Sequence, residues 1–139
     1  MIEMHALNLT ILPDGYAICR LPPDDPLPPW LSQVSFFSVT RTREELSIVC
    51  PEANLPTGSQ SQSGWRLLRF EGPFEFTVIG VLVSVTLPLA KAGISLLAIS
   101  TYDTDYVLVQ AGQLDAAIQV LTAAGHTIQP SGEQNVPQY

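Results

Sequence analysis

The stretches SVTRTREELSIV (residues 38–49) and ISTYDTDYVLV (residues 99–109) have the same organisation. Each has a run of β-favouring residues, a short polar and charged stretch, and a second β-favouring run, which is typical of a β-hairpin. The repeat predicts two similar small modules that pack as a pair. Their acidic turns, at Glu44/Glu45 and Asp103/Asp105, would then lie toward a ligand in the groove between the modules.

The composition indicates a folded protein with an acidic surface. Of the 139 residues, 46% are apolar and 14% are charged, which excludes disorder of the whole chain. The net charge of −7 disfavours nucleic acid and anionic lipid as partners. The start, MIEMHALN, lacks the features of a secretory signal, and the longest apolar stretch, residues 76–92, is interrupted by polar residues. We therefore expect a cytoplasmic protein that has no contact with a membrane.

The first half of the chain predicts a module with a degenerate helix. Five prolines in PPDDPLPPWLS, residues 22–32, leave room only for a short helical piece around Leu27–Leu31. A polar stretch at 57–64 predicts a flexible linker, so the first module would comprise residues 1–64. Strands are expected at 6–12, 16–21, 34–40 and 46–50, with a tight turn at Pro13-Asp14-Gly15 between the first pair.

The second half predicts the order β-α-β-β-α-β, a ferredoxin-like unit, over residues 65–129. Its second helix places apolar residues on one face at a spacing of about 3.6 and ends at Gly125. Residues 130–139 are expected to be a disordered tail. The expected strands are 65–70, 73–79, 94–101, 106–110 and 126–128, and the expected helices are 80–93 and 112–126. The fold class is thus α+β, with two ferredoxin-like βαββαβ modules packed together.

Several motifs of the second half resemble an ACT domain: FEG at 70–72, G-x-L at 80–82, PLAKAGIS at 88–95 and STYDTDYVLV at 100–109. The first half resembles the amino-terminal module of the same family through CRLPPD at 19–24, FFSVTRT at 36–42 and ELSIVCPE at 45–52. The chain is therefore similar to small tandem-ACT proteins of bacteria. A similar arrangement occurs in the regulatory part of aspartate kinases and in the cytosolic arginine sensor of animals. The resemblance implies a regulatory protein that binds a small ligand, usually an amino acid, at an interface between modules, and that usually forms a homodimer.

The junction at Gly80 is the first candidate for ligand binding. It precedes the predicted helix, where the amides of Val81 and Leu82 have no intrahelical acceptor and the helix dipole favours a carboxylate. The alternative is that Gly80 merely fits a tight turn. With the resemblance, we interpret it as part of the site.

The second hairpin would supply groups for the ammonium or for a cationic side chain. Asp103 and Asp105 are the candidates, with hydroxyl or backbone groups of Ser100 and Thr101, although two aspartates also suit an ordinary turn. The resemblance favours Asp105, since an aspartate of a matching turn contacts the ligand in the related arginine sensor. The matching positions of the first module are Ser38, Val39 and Thr40. Arg41 and Arg43 make their surroundings positive, so we expect the two halves to bind unequally.

Other residues do not predict catalysis. The chain has no nucleophile motif, phosphate loop, metal-spaced cluster or cofactor motif, so we expect neither an enzyme nor a metal or cofactor. Cys19 and Cys50 are expected to be buried free thiols, and His126 an exposed charge at a helix end. Three hypotheses remain: an amino-acid sensor that signals to an unidentified protein partner, a ligand-independent structural or dimerisation module, and a small enzyme with an unrecognised site.

Overall fold

A computed structural model describes residues 4–55, 58–74 and 79–131. The chain folds into two compact units. The 14–65 unit holds Asp14–Trp65, and the 66–139 unit holds Arg66–Tyr139 together with Met1–Pro13. The strands are β1 (Asn8–Leu21), β2 (Ser38–Arg41), β3 (Leu46–Pro51), β4 (Gln60–Phe70), β5 (Leu96–Ser100), β6 (Asp105–Gln110) and β7 (Thr127–Pro130). The helices are α1 (Val81–Lys91) and α2 (Leu114–Ala123).

The 14–65 unit follows the order βαββαβ, but both of its helices are short 3-10 turns. These turns are Pro29–Gln33, between β1 and β2, and Glu52–Asn54, between β3 and β4. The strands lie in the order β2-β3-β1-β4, and β3 is antiparallel to both β1 and β2. Pro28 and Pro29 open the first turn without a capping side chain, which agrees with the predicted degenerate helix.

The 66–139 unit contains the βαββαβ series β4-α1-β5-β6-α2-β7, so the predicted α+β fold class is confirmed. One strand more belongs to it. Asn8–Ile11 of β1 pairs in parallel with Thr127–Pro130 of β7, and β1 is also a neighbour of β4. The amino-terminal strand therefore lies between the first and the last strand of the series.

Two local predictions for residues 1–64 are wrong. No turn occurs at Pro13-Asp14-Gly15, because β1 continues through these residues. The φ of proline, near −65°, is compatible with extended backbone, and Gly15 is not among the glycines with positive φ. The predicted linker is also strand from Gln60 onward, with exposed side chains at 60–64. A polar composition indicated a linker there, although the backbone forms part of the sheet.

The core of the 66–139 unit lies between its sheet and one face of each helix. Val81, Val85 and Leu89 of α1 are buried there with Ala117 and Leu121 of α2. Both helices end at a glycine with positive φ, and the residue that follows this glycine donates to a carbonyl of the last turn: Ile94 N–H to Leu89 O and His126 N–H to Leu121 O, each at 3.0 Å. The sheet contributes the buried side chains of Leu9, Leu68, Phe70, Val107 and Val109, and Leu7 and Ile94 belong to the same core.

Two predicted segments lie partly outside the described residues. Of the predicted strand 73–79, residues 73, 74 and 79 are not in a strand, and residues 75–78 are not described. Of the predicted tail, Pro130 ends β7, and Ser131 is buried with its N–H on Ile11 O at 2.8 Å. Residues 132–139 are not described.

Candidate functional site

The turn between β5 and β6 is held by its own side chains. Thr101 N–H donates to Thr104 O at 2.8 Å, and the Thr101 hydroxyl accepts from Thr104 N–H at 3.2 Å. Ser100 Oγ donates to Asp105 Oδ1 at 2.5 Å. Three of the four predicted site residues of this hairpin are therefore engaged in closing it. Of these four residues, Asp103 is the one whose side chain has no hydrogen-bond partner among the residues that the structure describes.

The turn of the other hairpin is built in the same way. Thr42 N–H donates to Glu45 O at 2.9 Å, and the Thr42 hydroxyl accepts from Glu44 N–H at 3.1 Å and Glu45 N–H at 3.2 Å. Within the same unit, the Glu45 carboxylate pairs with Arg20 at 3.4 Å. The two repeated stretches, 38–49 and 99–109, thus form turns with matching hydrogen bonds.

The β5–β6 turn lies at the carboxyl end of β4. The Thr104 hydroxyl donates to Phe70 O at 2.7 Å, and Phe74 N–H donates to Asp103 O at 2.8 Å. A Cβ at Gly72 would lie 3.2 Å from Asp103 O, so the segment that follows β4 is in close contact with the β5–β6 turn. An open pocket of about 270 Å³ lies here, lined by Arg69, Phe70, Glu71, Gly72, Pro73, Asp103 and Thr104.

Glu71 and Arg69 give this pocket charges of both signs. Arg69 Nε donates to Glu71 Oε2 at 3.1 Å, and the buried Thr10 hydroxyl donates to the same oxygen. The hydrogen bond from Thr10 lowers the pKa of Glu71 below its usual value; partial burial opposes this, and the hydrogen bond and charge of Arg69 add to it. Glu71 is therefore held as a carboxylate in the same pocket as Asp103.

Gly80, immediately before α1, has a backbone conformation that favours glycine. Gly80 has φ 90° and ψ 0°, in the left-handed region that favours glycine, and it supplies no capping side chain to the amides of Val81 and Leu82. Ser84 donates to Gly80 O twice, from its N–H at 3.0 Å and from its hydroxyl at 2.5 Å. Val81 is buried and Leu82 half-buried. None of these three predicted site residues lines the described part of the pocket at Asp103.

The remaining predicted site residues form strand β2 of the 14–65 unit. Ser38, Val39 and Thr40 pair with Val49, Ile48 and Ser47 of β3. The neighbouring Arg41 donates to the carbonyls of Pro23 and Asp25, the second at 2.9 Å. This arginine, predicted to make the first hairpin positive, therefore fastens the proline-rich segment of its own unit.

The position of His126 differs from the predicted exposed charge at a helix end. Its side chain is buried, with 4% of the residue accessible, and both ring nitrogens have backbone partners. A signal was available in the sequence. His126 follows LTAAG as Ile94 follows LAKAG, and the second position after a glycine-terminated helix usually makes a hydrophobic contact.

The cysteines are buried as predicted, and both are free thiols. Cys19 lies opposite Ile48, and Cys50 opposite Ala17. Burial raises the pKa of both thiols, that of Cys50 to about 11. A thiol with so high a pKa is a poor nucleophile at neutral pH.

Metal-binding clusters and membrane-spanning helices are both absent from the described residues. Across residues 4–55, 58–74 and 79–131, no group of three or more His, Cys, Asp or Glu side chains could hold a metal ion. None of the described helices has the length and apolar character needed to cross a membrane.

Comparison with known proteins identifies relatives of both units. Residues 60–123 match the family model of the ACT domain, and residues 14–58 match a second family model, described as an N-terminal domain. Protein Atu0741 from Agobacterium tumefaciens, a crystal structure, is similar with 36% identity and a TM-score of 0.86, covering 91% of this chain and 95% of that one.

Other proteins are similar to this chain at lower sequence identity. The cytosolic arginine sensor for mTORC1 subunit 1 of Bos taurus is 30% identical over 120 residues, covering 78% of this chain and 36% of the sensor. The chain thus spans about a third of the length of the curated relatives that it matches. The aspartate kinase of Clostridium acetobutylicum shares the fold, with a TM-score of 0.64, 11% identity, and coverage of 89% of this chain and 36% of the kinase. Residues 60–123 therefore belong to the ACT-domain family, and the chain as a whole is similar to the Agrobacterium tumefaciens protein.

Proposed function

We propose that the protein is a regulatory sensor that binds a free amino acid through residues of its 66–139 unit. The observation that carries the proposal is the pocket at the carboxyl end of β4, where Arg69, Glu71 and Asp103 supply charges of both signs. A zwitterion offers an ammonium and a carboxylate, and the ammonium can pair with the acidic groups of this pocket. The match of residues 60–123 to the ACT-domain model supports a binding role, since ACT domains generally bind small ligands.

The ammonium or a cationic side chain would bind at the hairpin turn. Asp103 is available for this contact, because it lines the pocket and its carboxylate has no partner among the described residues. Asp105, which the resemblance favours, already accepts from Ser100 at Oδ1 and would bind the ligand through its remaining acceptor sites. Substituting the two aspartates separately therefore distinguishes a ligand held by Asp103 from one held by Asp105.

The carboxylate would bind at the start of α1. The amides of Val81 and Leu82 follow a glycine that supplies no side-chain cap, and the amino end of a helix favours negative charge. Thr101, and Ser38, Val39 and Thr40 of the 14–65 unit, remain proposed ligand-binding residues.

The ligand class follows in part from relatives. Because the curated relatives are named arginine sensors, L-arginine is the first amino acid to test. On the same grounds the protein is proposed to be cytoplasmic and non-catalytic, and to act through a protein partner not yet identified. The resemblance to ACT-domain proteins is the ground for proposing a homodimer. A ligand-independent structural or dimerisation module is the alternative.

Thermal unfolding with each of the twenty amino acids tests the proposal. A ligand that binds only the native state stabilises it by about 2.7 kcal/mol at 100 times its Kd, so the melting temperature must rise. Sedimentation of the 15.1 kDa chain across concentrations tests the homodimer separately. If no amino acid raises the melting temperature while the chain dimerises, the dimerisation module is supported and the sensor is refuted.

Replacing the aspartates locates the ligand. Asp103→Asn and Asp105→Asn each remove a charge, and loss of a charge-assisted hydrogen bond of about 1.5–3 kcal/mol weakens binding roughly tenfold to a hundredfold. Calorimetric titration of the best amino acid shows which substitution has this effect. Unchanged affinity in both folded variants would place the ligand away from this turn.

A further inference from the structure

Helix α1 contains a proline at a position where an earlier carbonyl of the helix needs a donor. In an α-helix the carbonyl of residue i accepts from the N–H of residue i+4. Pro88 is residue i+4 from Ser84 and has no N–H, yet α1 continues through it to Lys91. Ser84 is buried, with 2% of its surface accessible, so water cannot readily replace the missing donor.

His126 lies at this carbonyl. Its Nε2 is 2.7 Å from Ser84 O, and its Nδ1 accepts from Leu7 N–H at 3.1 Å. Since Nδ1 accepts, the ring proton is on Nε2, where it donates to Ser84 O. Both nitrogens of this buried ring are thereby satisfied.

The same serine reaches the amino end of the helix. Its hydroxyl donates to Gly80 O at 2.5 Å and accepts from His5 N–H at 2.8 Å. A chain of hydrogen bonds therefore runs from His126 through Ser84 to Gly80, all within the 66–139 unit.

We infer that His126 is a positioning residue that replaces the N–H missing at Pro88 and so holds the amino-terminal half of α1 in place. The inference goes beyond the proposed function, because it holds whether or not an amino acid binds at Gly80. It also explains why α2 is followed by a histidine where α1 is followed by Ile94: the residue at this point must supply a donor to α1 and an acceptor to Leu7.

Two substitutions separate the functions of the ring. His126→Gln keeps a donor that reaches the place of Nε2 but lacks the Nδ1 acceptor. His126→Asn keeps an acceptor at the place of Nδ1 but lacks the donor to Ser84 O. An unsatisfied buried carbonyl costs about 1–3 kcal/mol, so His126→Asn should raise the unfolding equilibrium constant roughly 5- to 140-fold.

Pro88→Ala provides the decisive rescue, because it restores the backbone N–H for Ser84 O. Urea unfolding is measured for wild type, His126→Asn and His126→Gln, each with proline and with alanine at position 88. With alanine at position 88, we expect the increase in the unfolding equilibrium constant caused by His126→Asn to be several-fold smaller. The change caused by His126→Gln should differ between the two backgrounds by no more than about twofold, which is the usual scatter for independent sites. Equal effects of Pro88→Ala on both histidine variants, or none on either, would overturn the inference.

The tautomer gives a test in the unmodified protein. In ¹⁵N-labelled wild type, the ring of His126 should show a protonated Nε2 and an unprotonated Nδ1, with a scalar coupling across the hydrogen bond from Leu7 N–H. A protonated Nδ1 with an unprotonated Nε2 would contradict the inference. Neither experiment uses a ligand, so failure of the sensor proposal leaves both of them decisive.

Discussion

Replacing Gly80 by alanine tests the junction at the start of α1. At φ 90° the backbone lies in the left-handed region, where an L-residue with a Cβ costs roughly 1–2 kcal/mol. Alanine also reduces the entropy of the unfolded chain, which stabilises by about 0.4–1 kcal/mol at a compatible position. The measured effect therefore contains two opposing contributions.

Gly112→Ala is the matched control. Gly112 has no positive φ, and a Cβ there would meet no atom within 4 Å, so this variant reports the unfolded-chain contribution alone. The difference between the two variants in the free energy of unfolding should be roughly 1–2 kcal/mol, with Gly80→Ala the less stable. Asparagine tolerates the left-handed region better than alanine, so Gly80→Asn should recover part of the loss.

Urea unfolding with linear extrapolation measures all three variants, provided that the slope m is unchanged. If Gly80→Ala and Gly112→Ala have equal stability, Gly80 does not need the left-handed conformation, and the argument that the helix start requires glycine is refuted. Should Gly80→Ala instead lose stability but keep full affinity for an amino acid, the glycine is structural and the ligand does not approach its backbone closely.

Three further predictions concern other parts of the chain. Because the pKa of Glu71 is lowered in the fold, its stabilisation is present above its unfolded value near 4.5 and is lost as the pH falls through the folded value. Thr10→Val should thus lower the free energy of unfolding by about 1 kcal/mol or less at pH 7, since Glu71 is over a third exposed. In urea unfolding, the difference between this variant and wild type should become smaller in acid. A difference that does not depend on pH would contradict the prediction. Cys50, with its pKa raised to about 11, should react with iodoacetamide only after unfolding, as measured by mass spectrometry with and without urea; rapid labelling of the native protein would exclude this. A fragment of residues 65–139 should fail to unfold cooperatively, because β7 loses its partner strand β1. A monomeric fragment with a sharp thermal transition would show that this unit does not need β1.

Much of the local structure could be predicted from the sequence because its causes act over a few residues. The runs of β-favouring residues and the polar turns between them predicted the two hairpins, which close through Thr42 and Thr101. The period of apolar residues predicted α2, and glycine predicted both helix ends. Among the predicted site residues, the sequence identified Asp103 and Asp105 as neighbours but could not show that Asp105 is engaged by Ser100.

Only the tertiary structure decided the features whose partners are far apart in the chain. Pro13 and Gly15 favour a turn locally, but pairing of β1 with β3 and β7 extends the strand through them. The pairing of Asn8 with Thr127, and the hydrogen bond of His126 with Ser84 O, join residues that no local pattern relates. Local sequence restricts which backbone conformations a segment can adopt, whereas the hydrogen bonds and buried contacts that select among them are formed between distant segments.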